Sequence, residues 1–248
     1  MKMIIRLSLA IAALSFLYSV RAADPTPAKS FEWGPGIKVM VVGGNASHDF
    51  EKWFHQADKK ILEKDGLASL QYTEEPNDLD GLLDKIDVLI LSNNKPMTNA
   101  AVRARIMKIP EMGPGLIIIH AGGWYSWRDW PEYNKVLVGG GTRGHDNLGA
   151  PFVVTLEKPE HPILAGVPAT FELVDELYNF KADVEGSKIT VLATSKSPKT
   201  GNVFPCIWVT DAPKGRIVNI TLGHDGRAHD LPAFQTLLRN TVKWVSQK

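Results

Sequence analysis

Gly115-Leu116-Ile117-Ile118-Ile119-His120-Ala121-Gly122-Gly123 is the stretch on which the fold turns. Its unbroken apolar run is the mark of a strand buried on both faces, as in the middle of a parallel sheet. A single polar residue and paired glycines then predict a sharp strand-to-helix turn. Upstream, Ile37 to Val42 is a similar apolar run ending in Gly43-Gly44, and Ala68 to Thr73 and Asp87 to Leu91 read as two further strands. Between them, Phe50, Trp53, Phe54, Ala57 and Ile61 recur at helix period from Phe50 to Lys64, with Gly66 placed to stop the helix. Leu79 to Leu83 reads as a short helix and Asn99 to Lys108 as another. Strands alternating with helices predict an α/β fold, a mainly parallel sheet with helices on both faces.

Downstream the pattern loosens. Phe152 to Glu157, Phe171 to Leu173, Ile189 to Ala193, Cys206 to Thr210 and Arg216 to Thr221 read as strands, several of them an antiparallel extension. Asp230 to Val245 is a closing helix with Phe234, Leu237, Leu238, Val242 and Trp244 or Val245 on its inner side.

At the other end, Lys2 and Arg6 precede an apolar run from Leu7 to Val20, and Val20-Arg21-Ala22 suits a signal peptidase. Residues 1–22 are therefore expected to be a secretory signal, the run being shorter than the about 20 residues of a bilayer span. Residues 23–36, rich in Pro, Ala and Gly, read as a linker, and 37–248 as one domain. The expected product is exported, periplasmic or secreted, with no membrane span after cleavage. Loss of Lys2, Arg6 and Arg21 takes the formal charge from +1 to −2. A near-neutral chain without basic clusters is a poor nucleic-acid binder. The single cysteine, Cys206, precludes an intramolecular disulfide; inside an expected strand it reads as packing and not as a nucleophile. No GxSxG elbow is present.

Open α/β sheets bind ligands beyond the carboxyl ends of their strands. Gly44 and His48 follow the first strand, His120 ends the fourth, and His224 and Asp225 follow the last. His120 lies at a turn of the kind where hydrolases place a nucleophile, with Gly122 able to admit a ligand close to the backbone. His224-Asp225 would let a carboxylate orient an imidazole. His48 serves equally well as a site residue or a helix cap. His145, after Gly139-Gly140-Gly141-Thr142-Arg143-Gly144, lies in a glycine-rich loop without the GK[ST] ending of a phosphate loop. In Asp175-Glu176 either carboxylate could be a base or a metal ligand, and Glu176 is the one retained. Trp124, Tyr125, Trp127 and Trp130 suit either sugar stacking or the core. His161 is expected to shape a turn before Pro162, His55 to lie on the surface, and His229 near the start of the last helix. His48, His120, His145 and His224 are the candidate metal ligands, Zn²⁺ being the natural ion for such donors, although no local motif such as HExxH is present.

Taken together, Ile118-Ile119-His120-Ala121 with Trp124, Leu137-Val138-Gly139-Gly140 through Gly144-His145, His161-Pro162-Ile163 with Gly166-Val167-Pro168, Asp175-Glu176-Leu177-Tyr178 and Leu222-Gly223-His224-Asp225 resemble the ThuA-like (trehalose utilisation) family, in order and over nearly the whole domain. The resemblance implies a class I glutamine amidotransferase-like fold, a flavodoxin-like three-layer sandwich, with the amidotransferase cysteine missing. It also implies catabolism of disaccharides oxidised to 3-keto sugars. On that basis the chain is expected to act on a 3-keto sugar or glycoside as a lyase, hydrolase or isomerase. His120, His224, Asp225 and Glu176 would be catalytic, and Gly44, His48, Gly122, Trp124 and His145 would bind substrate. The alternative is a non-catalytic extracytoplasmic carbohydrate-binding module.

Overall fold

The computed structural model describes residues 29–124, 127–146 and 148–247. The expected signal segment at 1–22, the first part of the linker and Tyr125 lie outside the described residues. Among the described residues, nine strands form one sheet in the order β2-β1-β3-β4-β11-β10-β9-β6-β7. The first five are β1 (Ile37–Val42), β2 (Ala68–Thr73), β3 (Val88–Leu91), β4 (Gly115–Ile119) and β11 (Ile217–Ile220), and all pair in parallel. The remaining four are β6 (Pro151–Leu156), β7 (Thr170–Val174), β9 (Ile189–Lys196) and β10 (Val203–Thr210), and they extend the sheet antiparallel, as expected.

The two halves differ in burial for a topological reason. Helical crossovers cover both faces of the parallel half. Val39 and Val41 of β1 and Ile117 and Ile119 of β4 enter one core cluster, while Met40, Val42, Leu116 and Ile118 enter the other. The first cluster is closed by Phe50, at the N-cap of the helical segment Glu51–Ala57, by Phe54 within it, by α1 (Asp58–Glu63), and by Phe234, Leu237 and Leu238 of the final helix (Pro232–Val245). The second is closed by Val102 and Ile106 of α2 (Ala100–Ile106) and by Tyr133 and Leu137 of the helix Tyr133–Val138. Each fully buried aliphatic or aromatic side chain contributes about 1.5–3 kcal/mol. In the antiparallel half, β6 and β7 alternate buried and exposed residues, which leaves one face to solvent.

Several local expectations are corrected. The short helix expected at Leu79–Leu83 is a 3-10 turn at Pro76–Leu79, entered through Glu75, whose side chain accepts from the Asn77 amide. His120 is not the last strand residue but opens a 3-10 turn, His120–Gly123, and no α-helix follows directly. The glycine-rich loop before His145 is instead a strand, β5 (Gly140–His145), paired antiparallel with β8 (Tyr178–Ala182), a strand the sequence did not announce. The glycines have steric reasons there. Gly139 ends the preceding helix at φ +77, and a Cβ on Gly140 would lie 2.3 Å from the Lys181 carbonyl oxygen. The last residues of the linker are also docked: Phe31 and Trp33 pack on the second cluster, and the Gly34 amide donates to Ser69 Oγ at 2.8 Å.

Candidate functional site

Three parallel strands end on one edge and deliver one imidazole each: His48 from the loop after β1, His120 after β4 and His224 after β11. They meet. His48 and His120 ring centroids are 4.7 Å apart, His48 and His224 4.7 Å, and His120 and His224 5.5 Å. The β5–β8 ribbon arches over the same edge. It sets His145 opposite Tyr178, and Glu176 sits just before β8. Glu176 reaches all but one of the four imidazoles: Oε2 is 3.5 Å from His120 Nε2, and Oε1 is 3.6 Å from His145 Nδ1 and 3.7 Å from His224 Nε2.

The tautomers follow from the partners. His120 Nδ1–H donates to the Thr221 carbonyl at 2.8 Å, because a carbonyl can only accept. Its Nε2 then offers a lone pair to His48 Nε2–H at 3.0 Å, and His48 Nδ1 accepts from the Ser47 hydroxyl at 2.8 Å. His224 Nδ1–H donates to Asp225 Oδ2 at 3.1 Å, the orienting contact expected of that pair. His145 Nδ1–H donates to the Asp146 carbonyl at 3.0 Å.

Burial grades the cluster. His120 is wholly buried at φ +47, a left-handed backbone that a non-glycine residue adopts only under constraint, whereas the His145 side chain is 33% exposed. Burial, reinforced by His120 and His224, pulls the His48 pKa down to about 3. Burial pushes the Glu176 carboxyl up, but the neighbouring imidazoles of His120, His145 and His224 outweigh it and hold it below its ordinary range. Arg227, whose Nη2 is 2.5 Å from Asp225 Oδ2, holds the Asp225 carboxyl far below the usual carboxylate range.

Other expected residues are placed differently. Trp124 borders the site, 5.6 Å from the His145 ring and 5.1 Å from Tyr178, whereas Trp127 and Trp130 are buried around Tyr133 in the core. Gly44, at φ +104, turns the chain against Glu74, and Gly122 is pressed against the Leu91 carbonyl. His55 lies away from the cluster, paired with Glu51, and His161 accepts from the Ile163 amide at a turn, as expected. Cys206 is fully buried, and burial pushes its thiol up to about 12, so it is packing.

Three residues have supporting roles that the sequence did not assign to them. The buried Asp175 carboxylate accepts from the amides of Glu176 (2.7 Å), Gly223 (2.8 Å) and His224 (3.3 Å), tying the loop before β8 to the loop after β11. Tyr178 packs its ring on His120 at 4.7 Å. His229, expected only near a helix start, is fully buried, with Nδ1 2.7 Å from Asp58 Oδ1 and Nε2–H donating to the Gly223 carbonyl at 3.1 Å. Paired acidic residues followed by Leu177-Tyr178 were the available signal for the first two; nothing local marks the third.

Comparison with known proteins agrees with this architecture. A family model described as trehalose utilisation, ThuA, matches residues 38–245. The structure is similar to a ThuA-like protein from Parabacteroides merdae (21% identity, TM-score 0.72, covering 85% of this chain and 90% of that one). It is also similar to one from Bacteroides uniformis (23%, TM-score 0.70, covering 89% and 95%). A GMP synthase protein from Thermoplasma acidophilum shares the fold at 15% identity and TM-score 0.52, covering 85% of this chain and 94% of that one. At these identities the likeness is one of fold, and it places the chain among glutamine amidotransferase-like sheets. No curated protein matches the sequence.

Proposed function

The chain belongs to the ThuA, or trehalose utilisation, family, and from that premise we propose that it is an exported enzyme of carbohydrate catabolism acting on a 3-keto sugar or glycoside. The observation that carries this reading is the clustering of His48, His120, His145 and His224, the last three within 3.7 Å of Glu176 and His48 packed on His120 and His224. A ketone at C3 makes the C2 proton acidic. Glu176, held ionised, is suited to remove it, and the electron pair moves into an enediolate that the imidazoles stabilise by hydrogen bonds. Elimination then breaks the bond from C1 to the glycosidic oxygen and forms a C1–C2 double bond. The departing oxygen takes a proton from Nε2 of a protonated His224, which Asp225 orients through Nδ1, and the C2 proton held by Glu176 then returns to that Nε2, 3.7 Å away. His120 lies too deep to touch a sugar and acts through His48 and Glu176. Trp124 and His145 offer a stacking face and a donor at the rim. No cysteine takes part.

The test is proton exchange. In deuterated buffer, a 3-keto glucoside should lose its C2 proton signal and release its aglycone with wild-type protein. The rate should fall about 10²–10⁴-fold in Glu176→Gln and His224→Ala. Wild-type protein that binds such glycosides without exchanging or cleaving any of them would instead be a carbohydrate-binding module, and the catalytic reading would be abandoned.

A further inference from the structure

We propose that His48, His224 and Glu176, with His120 as fourth donor, form a site for one divalent transition-metal cation. Three observations converge on it. The first is spacing. One ligand atom from each of His48, Glu176 and His224 can be chosen so that all lie within 4.8 Å of one another. His48 Nε2 and His120 Nε2 are 3.0 Å apart, His120 Nε2 and Glu176 Oε2 3.5 Å, and His224 Nε2 and Glu176 Oε1 3.7 Å. Ligand atoms at about 2.0–2.1 Å from a tetrahedral Zn²⁺ stand about 3.3 Å from each other, close to the three separations just given; the looser spacing of the His48–Glu176–His224 set has to tighten as the ion binds.

The second is orientation from behind. The Nδ1 atom of each of the three imidazoles is already engaged: His120 with the Thr221 carbonyl, His224 with Asp225 and His48 with Ser47. Each Nε2 is thereby aimed inward, as in metal-bound histidines; for His48 the proton must pass from Nε2 to Nδ1 on binding, the Ser47 hydroxyl turning from donor to acceptor. His145 fails this criterion, because its Nδ1, the atom nearest Glu176, is committed to the Asp146 carbonyl. It is left as a hydrogen-bonding residue beside the cation.

The third is the donor set. Three neutral imidazoles and one carboxylate carry a single negative charge and favour zinc, cobalt, nickel or iron(II) over magnesium or calcium, which prefer oxygen. Glu176 and His224 keep 16% and 21% of their side chains exposed, so a fifth ligand, such as a sugar ketone oxygen, can approach. With the cation bound, Glu176 and His224 would serve as its ligands and not as free base and acid, and the cation would polarise the C3 carbonyl and so acidify the C2 proton. This role rests on the keto-sugar reading; the binding does not.

Full-length wild-type protein, stripped with a chelator, is titrated with Co²⁺ and, in competition with a chromophoric chelator, with Zn²⁺. The expected result is one equivalent bound at submicromolar affinity, with visible Co²⁺ bands of a four- or five-coordinate nitrogen-rich site. Glu176→Gln and His224→Ala should lose binding, and Asp225→Asn should weaken it about 10–100-fold. Metal should raise the melting temperature of wild type but not of the first two variants. The wild-type titration needs no variant to fold: absence of stoichiometric binding overturns the proposal, as does binding undiminished in both ligand variants. Binding without any turnover of keto glycosides would leave the metal site standing and remove the proposed reaction. Undiminished turnover by protein that binds no metal would do the reverse.

Discussion

The Nε2 atoms of His48 and His120, 72 residues apart in sequence, face each other at 3.0 Å. Two imidazole nitrogens at that distance share one proton. Because His120 Nδ1 faces a carbonyl, the proton between the rings belongs to His48. In the chelator-stripped protein, ¹⁵N-resolved NMR should find His120 protonated at Nδ1 and His48 at Nε2. The opposite assignment would mean that the chain from Ser47 through His48 and His120 to Thr221 does not exist.

Asp175 is expected to matter more than its distance from substrate suggests. Asp175→Ala strands three backbone amides, and each buried donor left unpaired costs about 1–3 kcal/mol. Denaturant unfolding should show this loss. Turnover should fall further than stability explains, because His224 and Glu176 both lean on that carboxylate; Asp175→Asn, which keeps one acceptor, should recover part of both. A purely structural role would leave the residual kcat of the folded fraction unchanged.

Asp58 and His229 form a buried pair that holds a proton. Burial pulls the His229 pKa down, but the Asp58 charge and the hydrogen bonds to Asp58 and Gly223 outweigh it and raise it; burial raises that of Asp58. Both shifts mean that the folded state binds this proton more tightly than the unfolded chain. The contribution is thus complete below the ordinary histidine pKa, about 6.5, and declines as pH rises through the raised folded value. Wild-type stability should drop with rising alkalinity more steeply than that of the double variant Asp58→Asn/His229→Gln. Removing His229 alone should cost about 3–5 kcal/mol at neutral pH.

Gly122→Ala places a methyl 2.2 Å from the Leu91 carbonyl oxygen, which belongs to β3 and has little room to retreat. Overpacking of this kind costs about 1–3 kcal/mol or more. The melting temperature should fall and the His120 turn shift with it. An alanine variant as stable as wild type would mean that this turn is looser than described.

Cys206→Ser should leave keto-glycoside turnover intact, and a thiol reagent should label the native protein only as it unfolds, since the sulfur is fully buried. Rapid labelling of folded protein with loss of activity would return the thiol to consideration.

The strands and helices of the parallel half were legible because their signals are local. Leu116 to Ile119 can be buried on both faces only as a central strand, and Phe50, Phe54 and Ile61 recur at a helix period whatever surrounds them. Gly139 to His145 misled for the opposite reason. Its glycines answer to the approach of Lys181 in another strand, a contact with no trace in neighbouring residues. His224 and Asp225 were paired correctly because adjacency in sequence sufficed, whereas the partner of His229 lies 171 residues away.

Composition and periodicity thus dictate which segments are extended, which are helical, and that polar residues collect after the parallel strands. They do not dictate that His48, His120 and His224 gather in one cluster under a ribbon carrying Glu176 and His145. That follows from β3 lying between β1 and β4, from β11 pairing with β4, and from the buried Asp175 carboxylate drawing two loops together. Burial patterns are written residue by residue along the chain. Convergence is a property of strand order, set by the packing of all the elements at once.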